Sequence, residues 1–278
     1  MAATYPPEQH IVRDLRIESE HSASGRAFCL APVTDHVRNR AGAAGLGLLV
    51  TLVDISGALV GLPAADPDWT ATLDLSVHGI APVTDGPAIA ASYLVRAGKN
   101  VIVVGVDVYD GHGRDQPDAA RVCASGLMSF ARIPASATRA SRRPGGEPGR
   151  RVLHGDGTSQ LRASLFEHIG LRVVDAAAGA VELDKTEYVS NSFGTVNGGV
   201  LGMAVQAAAE TCLEAAGHPF VATDAQVHYL AQTEAGPVRT AARILRVAAD
   251  HAVCEVRTVD TGADDKLLTI ATVTLEGS

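Results

Sequence analysis

Aromatic residues are scarce in this chain. They make up 4% of its 278 residues, with five phenylalanines, five tyrosines and a single tryptophan. That poverty argues against a base-stacking nucleic-acid platform. A formal net charge of −8 argues against a binder of phosphate backbones. The four cysteines, Cys29, Cys123, Cys212 and Cys254, lie far apart and form no C-x-x-C pair. A disulfide scaffold or zinc ribbon is therefore unsupported, and reduced thiols in a cytoplasmic protein are the plain reading. The ten histidines show no H-E-x-x-H or comparable ligand spacing, so no metal is expected. No G-x-S-x-G elbow is present, which disfavours a Ser-His-Asp hydrolase. The N-terminal stretch MAATYPPEQHIVRD lacks the apolar core of a signal peptide.

What the chain has instead is aliphatic and small. Hydrophobic residues reach 46%, charged residues 19% and glycines number 28, enough to build a core. Residues 41–65, AGAAGLGLLVTLVDISGALVGLPAA, imitate a membrane span. Asp54 at its centre costs about 2.5–3.5 kcal/mol on insertion scales, and glycines and Pro63 weaken it further. The segment reads as the buried helix of a soluble protein, with no membrane span expected.

The chain repeats itself. Asn39-x-x-Gly42 corresponds to Asn191-x-x-Gly194, 152 residues on, and the same offset carries Gly47 onto Gly199 and Asp54 onto Gln206. After a two-residue slip, Gly86-Pro87 falls on Gly236-Pro237, Arg96 on Arg246 and Asp110 on Asp260. In each half a Gly-rich turn leads into a small-residue helix, expected at about 45–61 and 197–216. Alternating runs follow: TATLDLSVHGI, AIAASYLVRAG and NVIVVGVDVYD, then FVATDAQVHYL, VRTAARILRV and AVCEVRTVD. They end at Gly, Asp or Asn turns, as antiparallel strands do. Strand–helix–strand alternation is lacking, so the class is α+β and not a Rossmann-type sheet. Units at 12–133 and 161–278 are expected, joined by a linker at 134–160 that opens with PASATRASRRPGGEPGRR. Its Pro, Gly, Ser and Arg content suits a solvated, mobile connection better than an anion site.

The motif Asn191-Ser-Phe-Gly194-Thr-Val-Asn197-Gly198-Gly199, its weaker copy Asn39-Arg-Ala-Gly42-Ala-Ala-Gly45-Leu-Gly47, and Asp54 within the helix after that copy resemble one family. It is the hotdog-fold acyl-CoA thioesterases of the phenylacetyl-CoA and 4-hydroxybenzoyl-CoA group. The resemblance spans both halves, though the family's His is replaced by Asn197 in one and Gly45 in the other. It implies two tandem hotdog units, each an antiparallel sheet wrapped around a central helix, forming an intramolecular pseudo-dimer with sites at the interface. It implies a small-molecule acyl-CoA substrate, no cofactor beyond the coenzyme A of that substrate, and homo-oligomers of the double-hotdog chain.

The implied main site joins Asn191, Gly198 and Gly199 of the second half to Asp54 of the first. Backbone N–H groups at a helix N-terminus are fixed donors. Those of Gly198 and Gly199 would form an oxyanion hole, such donors being worth about 2.7–4 kcal/mol each. Asn191 would bond the carbonyl or the attacking water. Asp54 would activate water, or act as nucleophile, and Thr72 would help hold the water. The counterpart of Thr72 falls at Ala222 or Thr223. Each residue also has a plain structural reading: a buried carboxylate for Asp54, a packing notch for the glycines, a turn cap for Asn191 and an ordinary strand threonine for Thr72. A second, degenerate site would join Asn39 and Gly47 to Gln206, which is no base; Glu210, one turn further, could restore it. Arg96 and Lys99 at a hairpin suit either CoA phosphates or a solvated turn. Asp74 and Asp224 suit turns or cross-sheet pairs. Gly202, Ala204, Ala207 and Ala208 suit either a roomy acyl pocket or close packing. The competing functions are a non-catalytic acyl-CoA-binding scaffold, kept open by Gln206, and a hydratase or dehydratase, opposed by the missing His.

Overall fold

A computed structural model describes residues 5–21, 25–117, 121–135 and 149–277. The first half runs α1 (Ile11–Asp14), β1 (Glu18–His21), β2 (Arg26–Ala31), α2 (Leu46–Ala65), β3 (Trp69–Gly79), β4 (Ala88–Ala97), β5 (Val101–Asp110) and β6 (Val122–Ile133). After β7 (Arg151–Leu153), the second half runs α3 (Leu165–His168), β8 (Arg172–Asp175), β9 (Ala180–Leu183), α4 (Gly198–Ala215), β10 (Val221–Tyr229), β11 (Val238–Val247), β12 (His251–Asp260) and β13 (Lys266–Glu276). The expected α+β class holds, and the two halves carry the same elements in the same order.

All the described strands join one antiparallel sheet, in the order β7-β1-β2-β4-β5-β6-β3-β10-β13-β12-β11-β9-β8. The order reads alike outward from the central pair. That pair, β3 and β10, sets Ser76 opposite Gln226, Asp74 opposite His228 and His78 opposite Asp224. Each residue meets the repeat-mate of another, so an approximate twofold axis passes between Ser76 and Gln226. His78 Nδ1 bonds Asp224 across this seam at 2.7 Å, the cross-sheet role open to Asp224. A bulge interrupts β3 between Thr72 and Asp74 and β10 between Ala222 and Asp224. The bulges settle the alignment: Ala222 is the counterpart of Thr72.

The long helices lie on the sheet's inner face, α2 against β2 to β5 and α4 against β9 to β13, and they pack on each other. α2 has a mean hydropathy of 1.9, enough to cross a membrane by length and composition, yet 72% of that stretch is buried inside the protein. An apolar surface on all sides suits a helix covered by a sheet on one face and a helix on the other. It runs past Pro63, further than expected, because a proline in the last turn removes only one helical bond.

The helix crossing explains the small residues. A Cβ on Gly47 would stand 2.7 Å from Met203 Cγ, one on Gly199 2.7 Å from Thr51 Cα, and one on Gly202 2.5 Å from Val50 Cγ1. Gly202 thus serves close packing. Asp110 and Asp260 are repeat-related clasps. Asp110 accepts backbone N–H bonds from Thr84, Asp85, Gly86 and His112, and Asp260 from Glu234, Ala235 and Gly236.

The expected linker differs from a free connection where it is described. Residues 136–148 lie outside the described residues. Beyond them, β7 pairs with β1, and Arg151 meets Glu18, Glu20 and Asp115. The carboxylates of β1 draw this part of the segment onto the sheet edge.

Candidate functional site

Near the helix crossing, the carboxylate of Asp54 on α2 faces the first turn of α4. Its Oδ1 accepts a hydrogen bond from the Thr72 hydroxyl at 3.3 Å, and the backbone N–H of Gly199 donates to the same carboxylate. Gly198 lies so close that a Cβ there would stand 2.9 Å from Asp54 Oδ2. Burial pushes the Asp54 carboxyl up to about 6, against the two donors that favour its ionised form. Part of the residue stays open to solvent. The structure therefore brings Asp54, Thr72, Gly198 and Gly199 together across the two halves.

The amides of Gly198 and Gly199 are not equivalent donors. Asn197 caps α4 and accepts the Gly199 N–H on Oδ1 at 2.8 Å. With Asp54 as its second acceptor, that N–H is committed within the protein, contrary to the expectation that it faces the substrate. The Gly198 N–H has no acceptor among the described residues and stands at the first helical position, where the positive helix end is exposed. Asn191 divides likewise. Its Oδ1 accepts from Phe193 N at 2.9 Å and Thr195 N at 3.4 Å, the turn-capping role. Its amide nitrogen has no partner among the described residues.

Three further side chains adjoin the site without a motif to announce them. The Tyr229 hydroxyl donates to the Gly198 carbonyl at 3.0 Å, and burial foremost, then the Asp54 charge, raise its pKa. Tyr5 hydrogen-bonds the Asn197 side chain, and burial pushes its hydroxyl up to about 12, with Asp54 adding to the rise. His10 bonds the Ser190 carbonyl at 2.8 Å and stacks edge-on with Tyr5. The one available signal is a break in the repeat, since the mate of Tyr229 is Gly79.

The second set also assembles. Gly47 N–H donates to Gln206 Oε1 at 2.6 Å. Gln206 Nε2 donates to Glu210 Oε1 at 2.9 Å. Asn39, Gln206 and Glu210 line one pocket, and the Asn39 oxygen caps its turn as Asn191 does. Arg96 and Lys99 are not brought to either set. Their hairpin sits by the C-terminal end of α2, where Arg132 bonds the carbonyls of Gly98, Ala64 and Ala65.

Asp85, Asp110 and His112 group closely enough to suggest a cation site. Both Asp110 oxygens already accept backbone N–H bonds, so the cluster reads as a loop clasp.

Residues 189–275 match the family model of the acyl-CoA thioesterase N-terminal domain. A curated protein of Saccharolobus solfataricus, provisionally called an esterase, is 27% identical over 104 residues, covering 37% of this chain and 74% of its own. Among solved structures, a protein of Thermobifida fusca assigned as a thioesterase II superposes with a TM-score of 0.59 at 15% identity, over 95% of this chain and 96% of its own. An oleoyl thioesterase assignment from Lactobacillus plantarum gives 0.58 at 13%, over 96% and 98%. A protein of Alicyclobacillus acidocaldarius described as having the hot dog fold gives 0.56 at 14%, over 97% and 98%. These likenesses establish the hotdog fold.

Proposed function

We infer, from its fold and from the match of residues 189–275, that the chain is a member of the hotdog acyl-CoA thioesterases, which hydrolyse thioesters. From that premise we propose that it is a tandem double hotdog whose main active site joins Asp54 of the first unit to the α4 N-terminus of the second. The observation that carries this reading is the Asp54 carboxylate, partly desolvated and held by Thr72 and Gly199 beside the unengaged N–H of Gly198.

The substrate thioester carbonyl accepts a hydrogen bond from Gly198 N–H. In this reading Asp54 holds the attacking water, with the free Asn191 amide as its second partner. Asp54 takes a proton as the water oxygen bonds to the carbonyl carbon. Charge develops on the carbonyl oxygen at the positive end of α4, where a fixed donor is worth about 2.7–4 kcal/mol. Collapse breaks the C–S bond, and the coenzyme A thiolate leaves as the proton is returned to it. Tyr229 holds the Gly198 carbonyl and so fixes the plane of the Gly198–Gly199 peptide. The substrate supplies the coenzyme A, and no other cofactor enters the scheme. Association into homo-oligomers, with the exposed Tyr93, Leu94 and Val95 of β4 facing a second chain, belongs to the same reading.

The test is thiol release from an acyl-CoA panel. Asp54→Asn is expected to lower kcat at least tenfold while acyl-CoA still binds. The part of the wild-type rate that rises near pH 6 should be lost with it. Undiminished turnover in that variant overturns the assignment.

A further inference from the structure

The mate of the Asp54 site lies at the other end of the helix crossing, and it contains a cavity. About 230 Å³ of space opens at the N-terminus of α2, walled by His36, Arg38, Asn39, Arg40, Gln206 and Glu210 among others. This end is more open for reasons written in the repeat. Gly45 stands where Asn197 caps α4, so α2 has no capping side chain. Gly79 stands where Tyr229 closes the first site. A Cβ on Gly45 would point at the Gln206 amide, 3.6 Å away.

Inside the cavity the carboxylate has moved. Gln206, the mate of Asp54, keeps the bond to the opposite helix by accepting the Gly47 N–H. It then donates to Glu210 Oε1, which also accepts the backbone N–H of Ala222 at 3.0 Å. Ala222 is the mate of Thr72, so two donors again hold the carboxylate. Glu210 Oε2 has no partner among the described residues. The N–H of Leu46, at the first position of α2, likewise has no acceptor there and matches the Gly198 N–H. The mate of Glu210 in the first half is Ala58, so the acid has shifted one helical turn rather than vanished.

We propose that this cavity is a second thioester-hydrolysing centre, with Glu210 as its base, Gln206 as the positioning residue and Leu46 N–H as the oxyanion donor. The proposal rests on the thioesterase reading above. A water oxygen bonds to the thioester carbonyl carbon as Glu210 Oε2 takes its proton. Collapse of the intermediate breaks the C–S bond, and the departing thiolate recovers that proton. The products are a carboxylic acid and a free thiol. Burial foremost raises the Glu210 pKa, opposed by the donors from Ala222 and Gln206 and by Arg40, and a carboxyl so shifted is a better proton acceptor than an exposed one.

The experiment compares wild type, Asp54→Asn, Glu210→Gln and the double variant on one acyl-CoA panel. Expected is a residual rate in Asp54→Asn at least tenfold above the double variant. A non-hydrolysable thioether analogue of an acyl-CoA should bind at two per chain in the wild type, a reading that needs no variant to fold. Asp54→Asn as inactive as the double variant, or one analogue per chain, overturns the second centre and leaves the Asp54 site standing. Full activity in Asp54→Asn that Glu210→Gln removes supports the second centre and overturns the first. No hydrolysis by the wild type overturns both.

Discussion

Replacing Asp54 by Asn in a Glu210→Gln background isolates one group and tests chemistry and stability together. A buried carboxylate that works as a base is held at a cost. Its pKa stands at about 6 in the folded chain against an ordinary 3.8. Between those values the native state binds more protons than the unfolded chain, so stability falls as pH rises from about 4 to 6, and the penalty is complete above pH 7. Each pKa unit corresponds to about 1.4 kcal/mol. Solvent reaches part of the carboxylate, and an Asn oxygen keeps only one of the donors Thr72 and Gly199. A net gain of about 1–2 kcal/mol at pH 8 is therefore expected, worth about 2–4 °C per kcal/mol in a chain of this size. The gain should vanish at pH 4, where the wild-type carboxyl is protonated and carries no penalty. Loss of a positioned base lowers the rate by about 10²–10⁴-fold. Thiol release and thermal unfolding at both pH values read the two effects on one sample. A variant that stays active, or that gains as much stability at pH 4 as at pH 8, refutes the reasoning.

Three further outcomes follow from packing and polar satisfaction. Gly199→Ala would press its Cβ to 2.7 Å from Thr51 Cα, and the overpacked crossing should lose about 1–3 kcal/mol in denaturant unfolding. Asp110→Ala would leave four backbone N–H groups without their acceptor. A loss of about 3–5 kcal/mol, by analogy with breaking a buried charged pair, is expected at neutral pH. Those donors lower the Asp110 pKa despite burial, so its contribution should fade as pH falls below the ordinary carboxyl range, and a wild-type stability curve flat in acid contradicts this. Thr258 and Thr269 face each other across β12 and β13, fully buried, with neither hydroxyl partnered among the described residues. Thr258→Val should raise the unfolding free energy by about 1 kcal/mol, the cost of an unsatisfied buried hydroxyl, and a lowered midpoint refutes that account.

Long-range order was legible in the sequence because duplication wrote it twice. The 152-residue offset located both central helices to within a few residues, and the quoted strand runs match β3 to β5 and β10 to β12. The short outer elements were not legible. β1 and β8 are four residues each, polar or half-exposed, and gain their shape from pairing partners rather than from their own pattern. At the site, Asp54 and the Gly198–Gly199 turn were visible because the repeat and the motif both touch them. Tyr5 was invisible because a tyrosine in a proline-rich N-terminal stretch has no periodicity. The division of labour between Gly198 and Gly199 was invisible too, since it depends on which way the Asn197 side chain turns.

The two ends of the helix crossing separate two demands that a single aspartate meets at once. The N–H of Gly47, second in α2, has Gln206 as its acceptor, whereas the N–H of Gly199, second in α4, is shared between the Asn197 cap and Asp54. Asp54 accepts as a charge, and Gln206 accepts as a neutral amide. Desolvating a carboxylate is costly, and an amide avoids that cost. Gly47 N–H therefore depends on Gln206, whereas Gly199 N–H keeps its cap without Asp54, so satisfying the backbone does not by itself call for the charge at position 54. The Asp54 end combines acceptor and charge in one side chain. The Gln206 end keeps the tie between the helices and hands the charge to Glu210, one turn away, beside a cavity that Gly79, the mate of Tyr229, leaves open. The asymmetry between the halves is thus a matter of where the negative charge sits along one helix face, within a frame that both halves hold by the same bond.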